Sequence, residues 1–393
     1  MQASDRIPEQ QIKAFLQDPM GVDMFSKIKL KNYNYLLMLL VFAAMAAGVP
    51  IIKSVDEWSA SRQIIGVVIA AVIMIIVALF DYHFICKFYV VFYFINIGLL
   101  LAVLMFGDSE NNAKRWFTFA GITFQPSELT KIFMIIFMAK MLSNAEEKEK
   151  LSSFRTIIKF GVTLGFPILL IFMQPDLSTS LCIILVMITL YYMAGLSYKA
   201  IGIILLIFIP LISVFIWYIQ KPDQKLLYEH QVNRIMSFIY PSEYQEDNSQ
   251  QNNSVMAIGS GKLTGKGLGN DSGDTVKSAK LISEQQTDFI FSVVGEELGF
   301  AGCIILIALI LLIVLQCIRV ARRAKDTLGM LIASSVGCLI GYQSFINIGV
   351  ATALLPNTGI PLPFISYGMS SLLSLSIGLG LTLNISMQHK RHY

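Results

Sequence analysis

Long apolar runs separated by short polar stretches dominate this chain, near residues 33–52, 63–80, 84–106, 127–143, 156–173, 177–194, 199–219, 288–318, 327–352 and 364–387. Each approaches the roughly twenty residues a helix needs to cross the hydrocarbon of a bilayer. In lipid a spanning segment must satisfy its own backbone, which a helix does internally. The pattern therefore predicts an all-α polytopic membrane protein with about ten transmembrane helices. The ten-helix domain covers residues 33–387, between tails at 1–32 and 388–393. One large extracellular loop, 220–287, separates helices 7 and 8.

Charge sets the orientation. With the N-terminus inside, the inner segments and helix ends hold eighteen Lys/Arg and the short outer loops hold four. Cytoplasmic loops carry the excess of Lys and Arg, so both termini are expected to be cytoplasmic. Composition agrees: 55% of the residues are hydrophobic and 14% charged, which excludes an ordinary soluble enzyme. The large loop, with seven Lys/Arg and eight Asp/Glu, is nearly neutral and offers no nucleic-acid surface. The five cysteines lie in or beside apolar runs without a CxxC pair, and the four histidines have no ligand spacing. Neither a disulfide framework nor a His-built metal site is expected.

Candidate chemistry begins at Ser283–Gly302, SEQQTDFIFSVVGEELGFAG, where a polar loop turns into an apolar helix with Asp288 at its mouth. Two readings stand. Asp288 is either an acid favoured by the helix dipole, or a carboxylate whose lost hydration raises its proton affinity, as in a general base. Glu296 and Glu297, more than two turns on, require partners or water because unpaired charge is costly in an apolar setting.

The outer loop Gly107–Pro126 carries Lys114, Arg115 and Trp116, and Gln125-Pro126-Ser127-Glu128 then opens the fourth helix. Glu128 and Lys131 are three residues apart and share a face. They form a buried structural ion pair, line a functional cavity, or do both. Asp176 in Gln174-Pro175-Asp176 reads first as the cap of the sixth span. Gly259–Asn270, GSGKLTGKGLGN, lacks GxxxxGK[ST] spacing and is no P-loop. It is read as a flexible connector, or as backbone amides with Lys262 or Lys266 facing an anionic head group. Tyr244–Ser254 reads as a disordered polar tract. Leu355–Ser371, LPNTGIPLPFISYGMSS, has three prolines and no charge, so at membrane depth it must be buried or line a wet cavity. Thr358, Ser366 and Tyr367 are its candidate inward-facing groups.

RWFTFAGITFQPSELTK, QPDLSTS, the run from SVMAIGSGKLTGKGLGN through QQTDFIFSVVGEELGFAG, and LPNTGIPLPFISYGMSS resemble the motifs of the SEDS family (shape, elongation, division and sporulation) over about residues 33–387. The long loop is more similar to the rod-shape branch than to the division and sporulation branches. Ser178 and Met369 stand where the family commonly has glycine, which raises a packing question at Met369.

The resemblance implies a peptidoglycan glycosyltransferase of the bacterial cytoplasmic membrane. It would polymerise lipid II, the undecaprenyl-pyrophosphate disaccharide-pentapeptide, on the outer face beside a class B penicillin-binding protein and other elongation-complex proteins. Asp288 falls on the family's essential aspartate, Glu128 and Lys131 on its acid–lysine pair, and Arg115 on its arginine. Such a reaction needs a base at the acceptor hydroxyl and positive charge at the departing diphosphate. Asp288 is the expected base. Lys131 and Arg115 are the expected cations, helped by Lys114, Lys262 or a divalent cation, Mg2+ or Mn2+. Thr358 and Ser366 are further candidate substrate contacts. The competing reading is a transporter that flips lipid II, which requires a polar path through the membrane midplane.

Overall fold

The computed structural model describes residues 32–388, except 111–112, 120–121, 148–149, 222–223, 225–228, 241–242, 244–248, 271–274 and 276–280. Apart from their border residues Asn32 and Gln388, the two expected tails lie outside the described residues, as does the 244–248 part of the polar tract. Helices follow in the order α1 (Tyr35–Val55), α2 (Glu57–Leu79), α3 (Tyr82–Lys87), α4 (Tyr89–Phe106), α5 (Pro126–Glu146), α6 (Phe154–Met173), α7 (Leu177–Met193) and α8 (Tyr198–Ile219). Then come α9 (Glu229–Ile239), α10 (Ser249–Ser260), α11 (Ile290–Arg322), α12 (Thr327–Ala351) and α13 (Met369–Met387). Among the described residues seven helices, α1, α2, α4, α6, α11, α12 and α13, are long and apolar enough to cross a membrane. The three remaining expected spans coincide with α5, α7 and α8.

Helices α5, α12 and α13 form the centre. Ile132, Met134, Ile135, Leu331, Val336, Leu375 and Leu379 are all buried there. By contrast α4 shows Phe94 and Phe106 at its surface, as a lipid-facing rod does. Small residues permit close helix contact in a bilayer, where water supplies no hydrophobic drive between helices. Gly380 is one case: a Cβ there would stand 2.7 Å from the Met74 carbonyl of α2.

The structure changes three expectations. The loop after α4 is a small antiparallel sheet of β1 (Asp108–Glu110), β2 (Ala113–Phe119) and β3 (Ile122–Phe124), in the order β1-β2-β3. Its register sets Asp108 opposite Trp116 and Phe117 opposite Phe124. Trp116 to Phe119 and Ile122 to Phe124, aromatic and β-branched throughout, suit paired strands.

Secondly, Ser249–Ser254 of the polar tract is helical and belongs to α10. Its polar residues complete the end of α12. Gln251 donates to the carbonyls of Val350 and Leu355 at 3.0 and 2.8 Å, and Ser254 to that of Ala351 at 2.7 Å. The last carbonyls of a helix lack intrahelical donors, and α10 supplies them.

Thirdly, the glycine-rich segment is packed rather than a free connector. Helix α11 breaks at Gly299, where φ is 66° and ψ −166°. The freed backbone groups pair with the segment: Lys266 and Gly267 amides donate to the carbonyls of Glu296 and Glu297, and the Phe300 amide donates to Lys262. Gly265 and Gly299 have positive φ, and a Cβ on Gly299 would stand 2.3 Å from the Gly265 nitrogen. Only glycine admits that approach. Lys266 also lies 2.8 Å from Glu296, giving that buried acid the partner its setting demanded.

Candidate active site

The chemistry gathers in one cavity of about 530 Å3. Its walls come from the first turns of α2, α5, α7 and α13, from β2 and α9, and from the segments before α11 and α13. Four helices thus point their amino ends at one space, and the positive ends of their dipoles favour an anion there.

Asp288 sits on this wall in the turn before α11, partly open to the cavity. Burial of its surroundings pushes its carboxyl up to about 6, opposed by the Arg234 guanidinium and reinforced by the negative charges of Glu284 and Asp176. A Cβ on Gly359 would stand 3.2 Å from Asp288 Oδ2 and 3.9 Å from Arg234 Nη1. The glycine, at φ 72°, therefore lets the proline-rich wall approach both charges.

Arg234 escaped the sequence reading. It lies on α9, whose apolar face, Val232, Ile235 and Met236, packs with Ile219 of α8. The i, i+3, i+4 spacing of Val232, Ile235 and Met236 is the signal that would have marked an amphipathic helix with Arg234 off its apolar side.

Arg115 is where the sequence placed it, on the cavity wall, and its Nε donates to the Gln174 carbonyl at 2.7 Å. Its other end donates to the Pro175 carbonyl. Both acceptors are neutral, so the guanidinium charge is directed but not cancelled. Asp176 caps α7 by accepting from the Thr179 amide at 3.2 Å, the cap reading, and also accepts from the Gln125 side chain at 3.0 Å.

Glu128 lines the cavity, and Lys131 stands behind it, 2% exposed, with Nζ 2.7 Å from the Glu128 carboxylate. The lysine therefore meets the cavity through its partner. Thr358 and Tyr367 line the wall. Ser366 does not; its hydroxyl donates to the Thr287 carbonyl at 2.5 Å, inside the protein. Lys114 and Lys262 are exposed and lie outside the lining.

At the rim, Arg62 stacks over Trp58, with its guanidinium carbon 3.8 Å from the ring centroid. The two departures from family glycine are also explained. Met369 lies over Gly66 of α2, whose added Cβ would be 3.7 Å from the Met369 side chain. Ser178 donates to the Thr358 carbonyl and ties α7 to the proline-rich wall. Among the described residues no group of three or more His, Cys, Asp or Glu is assembled to hold a metal ion.

Fold and site together define a polytopic helical membrane protein with a carboxylate and guanidinium groups around one cavity at an end of its bundle. The chain belongs to the FtsW/RodA/SpoVE family of cell cycle proteins, whose pattern matches residues 29–391. It is 32% identical over 367 residues to the peptidoglycan glycosyltransferase MrdB of Escherichia coli K12, covering 90% of this chain and 92% of MrdB. To the probable peptidoglycan glycosyltransferase FtsW of Geobacter metallireducens it is 31% identical over 379 residues, covering 92% and 96%.

The fold is that of two solved structures. One is a chain of a peptidoglycan synthase complex described as coordinating polymerization and crosslinking (TM-score 0.76, 24% identity, covering 90% of this chain and 97% of that one). The other is the rod shape determining protein RodA of Thermus thermophilus (TM-score 0.66, 23% identity, covering 92% and 98%).

Proposed function

We propose that this chain is a peptidoglycan glycosyltransferase that polymerises lipid II in the cavity around Asp288, at the outer face of the bacterial cytoplasmic membrane. The observation that carries the reading is a proton-accepting carboxylate and two guanidiniums, Arg234 and Arg115, on one cavity wall. Family membership and the MrdB and FtsW relatives support the reaction class. The excess of Lys and Arg in the inner segments and helix ends supports ten spans with both termini inside.

In the reaction an acceptor sugar hydroxyl attacks the anomeric carbon of a second lipid-linked glycan, and the lipid diphosphate leaves. Asp288 takes the hydroxyl proton as the C–O bond forms; loss of such a base typically slows a reaction about a hundredfold to ten-thousandfold. Arg115, Arg234 and the converging helix amino ends oppose the charge that grows on the departing diphosphate. Lys131 holds the cavity-lining Glu128 carboxylate in place through their 2.7 Å contact. Lys114 and Lys262, outside the lining, are left to guide the anionic substrate toward the mouth. A divalent cation, Mg2+ or Mn2+, would be carried by the substrate phosphates, since such ions usually need only one or two protein carboxylates, and would leave Asp288 free as the base. When bound it would supply further charge neutralisation.

The synthase-complex neighbour supports a penicillin-binding protein as partner, and the rod-shape relatives support a role in elongation. The test uses purified protein and labelled lipid II in detergent, with and without that partner. The account expects glycan ladders on a gel. Protein that moves lipid II across vesicles yet makes no polymer in detergent would instead establish a transporter.

A further inference from the structure

The backbone that carries Asp288 is held in an unusual way. Three successive carbonyls, those of Gln286, Thr287 and Asp288, each accept a hydrogen bond from the 347–367 segment. The Tyr367 amide donates to Gln286 at 2.8 Å, the Ser366 hydroxyl to Thr287 at 2.5 Å, and the Asn347 side-chain amide to Asp288 at 2.8 Å. Asn347 is 1% exposed, and the same nitrogen donates to the Ile360 carbonyl at 2.8 Å. The Ser366 hydroxyl also accepts from the Leu362 amide at 2.8 Å, so its proton is committed to Thr287. Phe289, 2% exposed, anchors the next residue in the core.

A turn before a helix ordinarily leaves its carbonyls to water, which would let it rock. Here three successive carbonyls of the turn, 286 to 288, are all tied to one neighbouring segment. Neither Asn347 nor Ser366 lines the cavity, so neither meets a substrate there.

We propose that Asn347 and Ser366 are positioning residues, which with the Tyr367 amide grip the 286–288 backbone by its carbonyls and so aim the Asp288 carboxylate at the acceptor. The inference rests on the reading of Asp288 as the base. It assigns the uncharged last outer loop a catalytic purpose beyond forming a wall. A misplacement of about 1 Å in a catalytic group can cost about a hundredfold in rate.

The experiment compares Ser366→Ala, Ser366→Thr, Asn347→Asp and Asn347→Leu with wild type in lipid II polymerisation, measuring kcat, KM, thermal stability and the pH profile. Ser366→Ala and Asn347→Asp are expected to lower kcat about tenfold to a hundredfold and to leave KM within about threefold. Ser366→Thr, which keeps the donor, recovers most of the rate.

The pH profile adds a readout that a purely structural role would not move. A released carboxylate gains hydration, so the acid limb falls from about 6 toward the ordinary carboxylate range. The charged groups facing it, Arg234 on α9, Glu284 in its own turn and Asp176 at the start of α7, are unchanged in Ser366→Ala and Asn347→Leu, in which the limb is read; Asn347→Asp adds a carboxylate beside Asp288 and is read by kcat alone. Wild-type kcat in both Ser366→Ala and Asn347→Asp, or a loss matched by lowered thermal stability with an unmoved acid limb, overturns the proposal. Asp288→Asn separates the two failures. If it is inactive while the positioning variants are normal, only this inference falls; if it is active, the base assignment falls with it.

Discussion

Replacing Arg234 with methionine tests the electrostatics of the cavity. Both Asp288 Oδ2 and Arg234 Nη1 lie close to the point where a Gly359 Cβ would stand, so the two charges are at most about 7 Å apart. At an effective dielectric of about 20, unit charges roughly 5 to 7 Å apart attract by roughly 2 to 3 kcal/mol. One pKa unit is about 1.4 kcal/mol, which gives about two units. Arg234 as a residue is exposed and lines an open cavity, so solvent screening reduces this to about one unit.

The sign follows from the charge. Arg234 stabilises the ionised carboxylate, so its loss raises the Asp288 value from about 6 to about 7. Polymerisation, which needs the ionised base, should then reach its plateau about one pH unit higher, with a rate about fivefold lower near pH 6 from this cause alone. Arg234→Lys, which keeps the charge, should restore most of the limb. The assay is initial-rate glycan synthesis from labelled lipid II between pH 5 and 9, with the plateau normalised. A limb that stays at its wild-type position in Arg234→Met refutes the reasoning, whatever happens to the plateau.

Other perturbations have defined outcomes. Lys131→Met strands the buried Glu128 charge and should cost about 3 to 5 kcal/mol of stability; adding Glu128→Gln should recover the melting temperature without recovering polymerisation. Gly299→Ala forces a side chain into positive φ and against the Gly265 nitrogen, so its melting temperature should fall by several degrees; Gly98→Ala, with nothing within 4 Å of the new Cβ, should be neutral. At the other end of the bundle, His83 lies between Asp81 and Asp326, at 3.0 and 2.5 Å. Burial alone would lower its pKa, but the hydrogen bonds and charges of Asp326 and Asp81 push it up to about 9. Its stabilisation is complete below about pH 6.5 and lost as pH rises through about 9. Screening of this part-exposed group limits it to about 1 to 2 kcal/mol, so thermal melts at pH 6 and 9.5 should differ more for wild type than for His83→Leu.

The spanning helices were legible because lipid removes the alternatives: an apolar run of that length has to be a helix. Asp288, Arg115 and Glu128 were legible because a charge beside such a run carries a cost that needs a reason. What escaped the sequence lies in the long loop, where no solvent boundary imposes a period. There α10 looks disordered because its glutamines and serines serve the end of α12, a contact about a hundred residues away in the chain. The glycines of 261–269 look like a flexible linker, although Gly261 and Gly265 are required by close backbone approach to Gly295 and Glu297 beside the Gly299 break. Ser366 was read with Thr358 and Tyr367 as facing the cavity, but its hydroxyl turns into the protein toward the Thr287 carbonyl.

The most direct measurement is glycan polymerisation by purified Asp288→Ala and Asp288→Asn proteins that fold and insert as wild type does. The account predicts no polymer above background from either variant at any pH between 5 and 9. Glycan made at near wild-type rate by either one would contradict it.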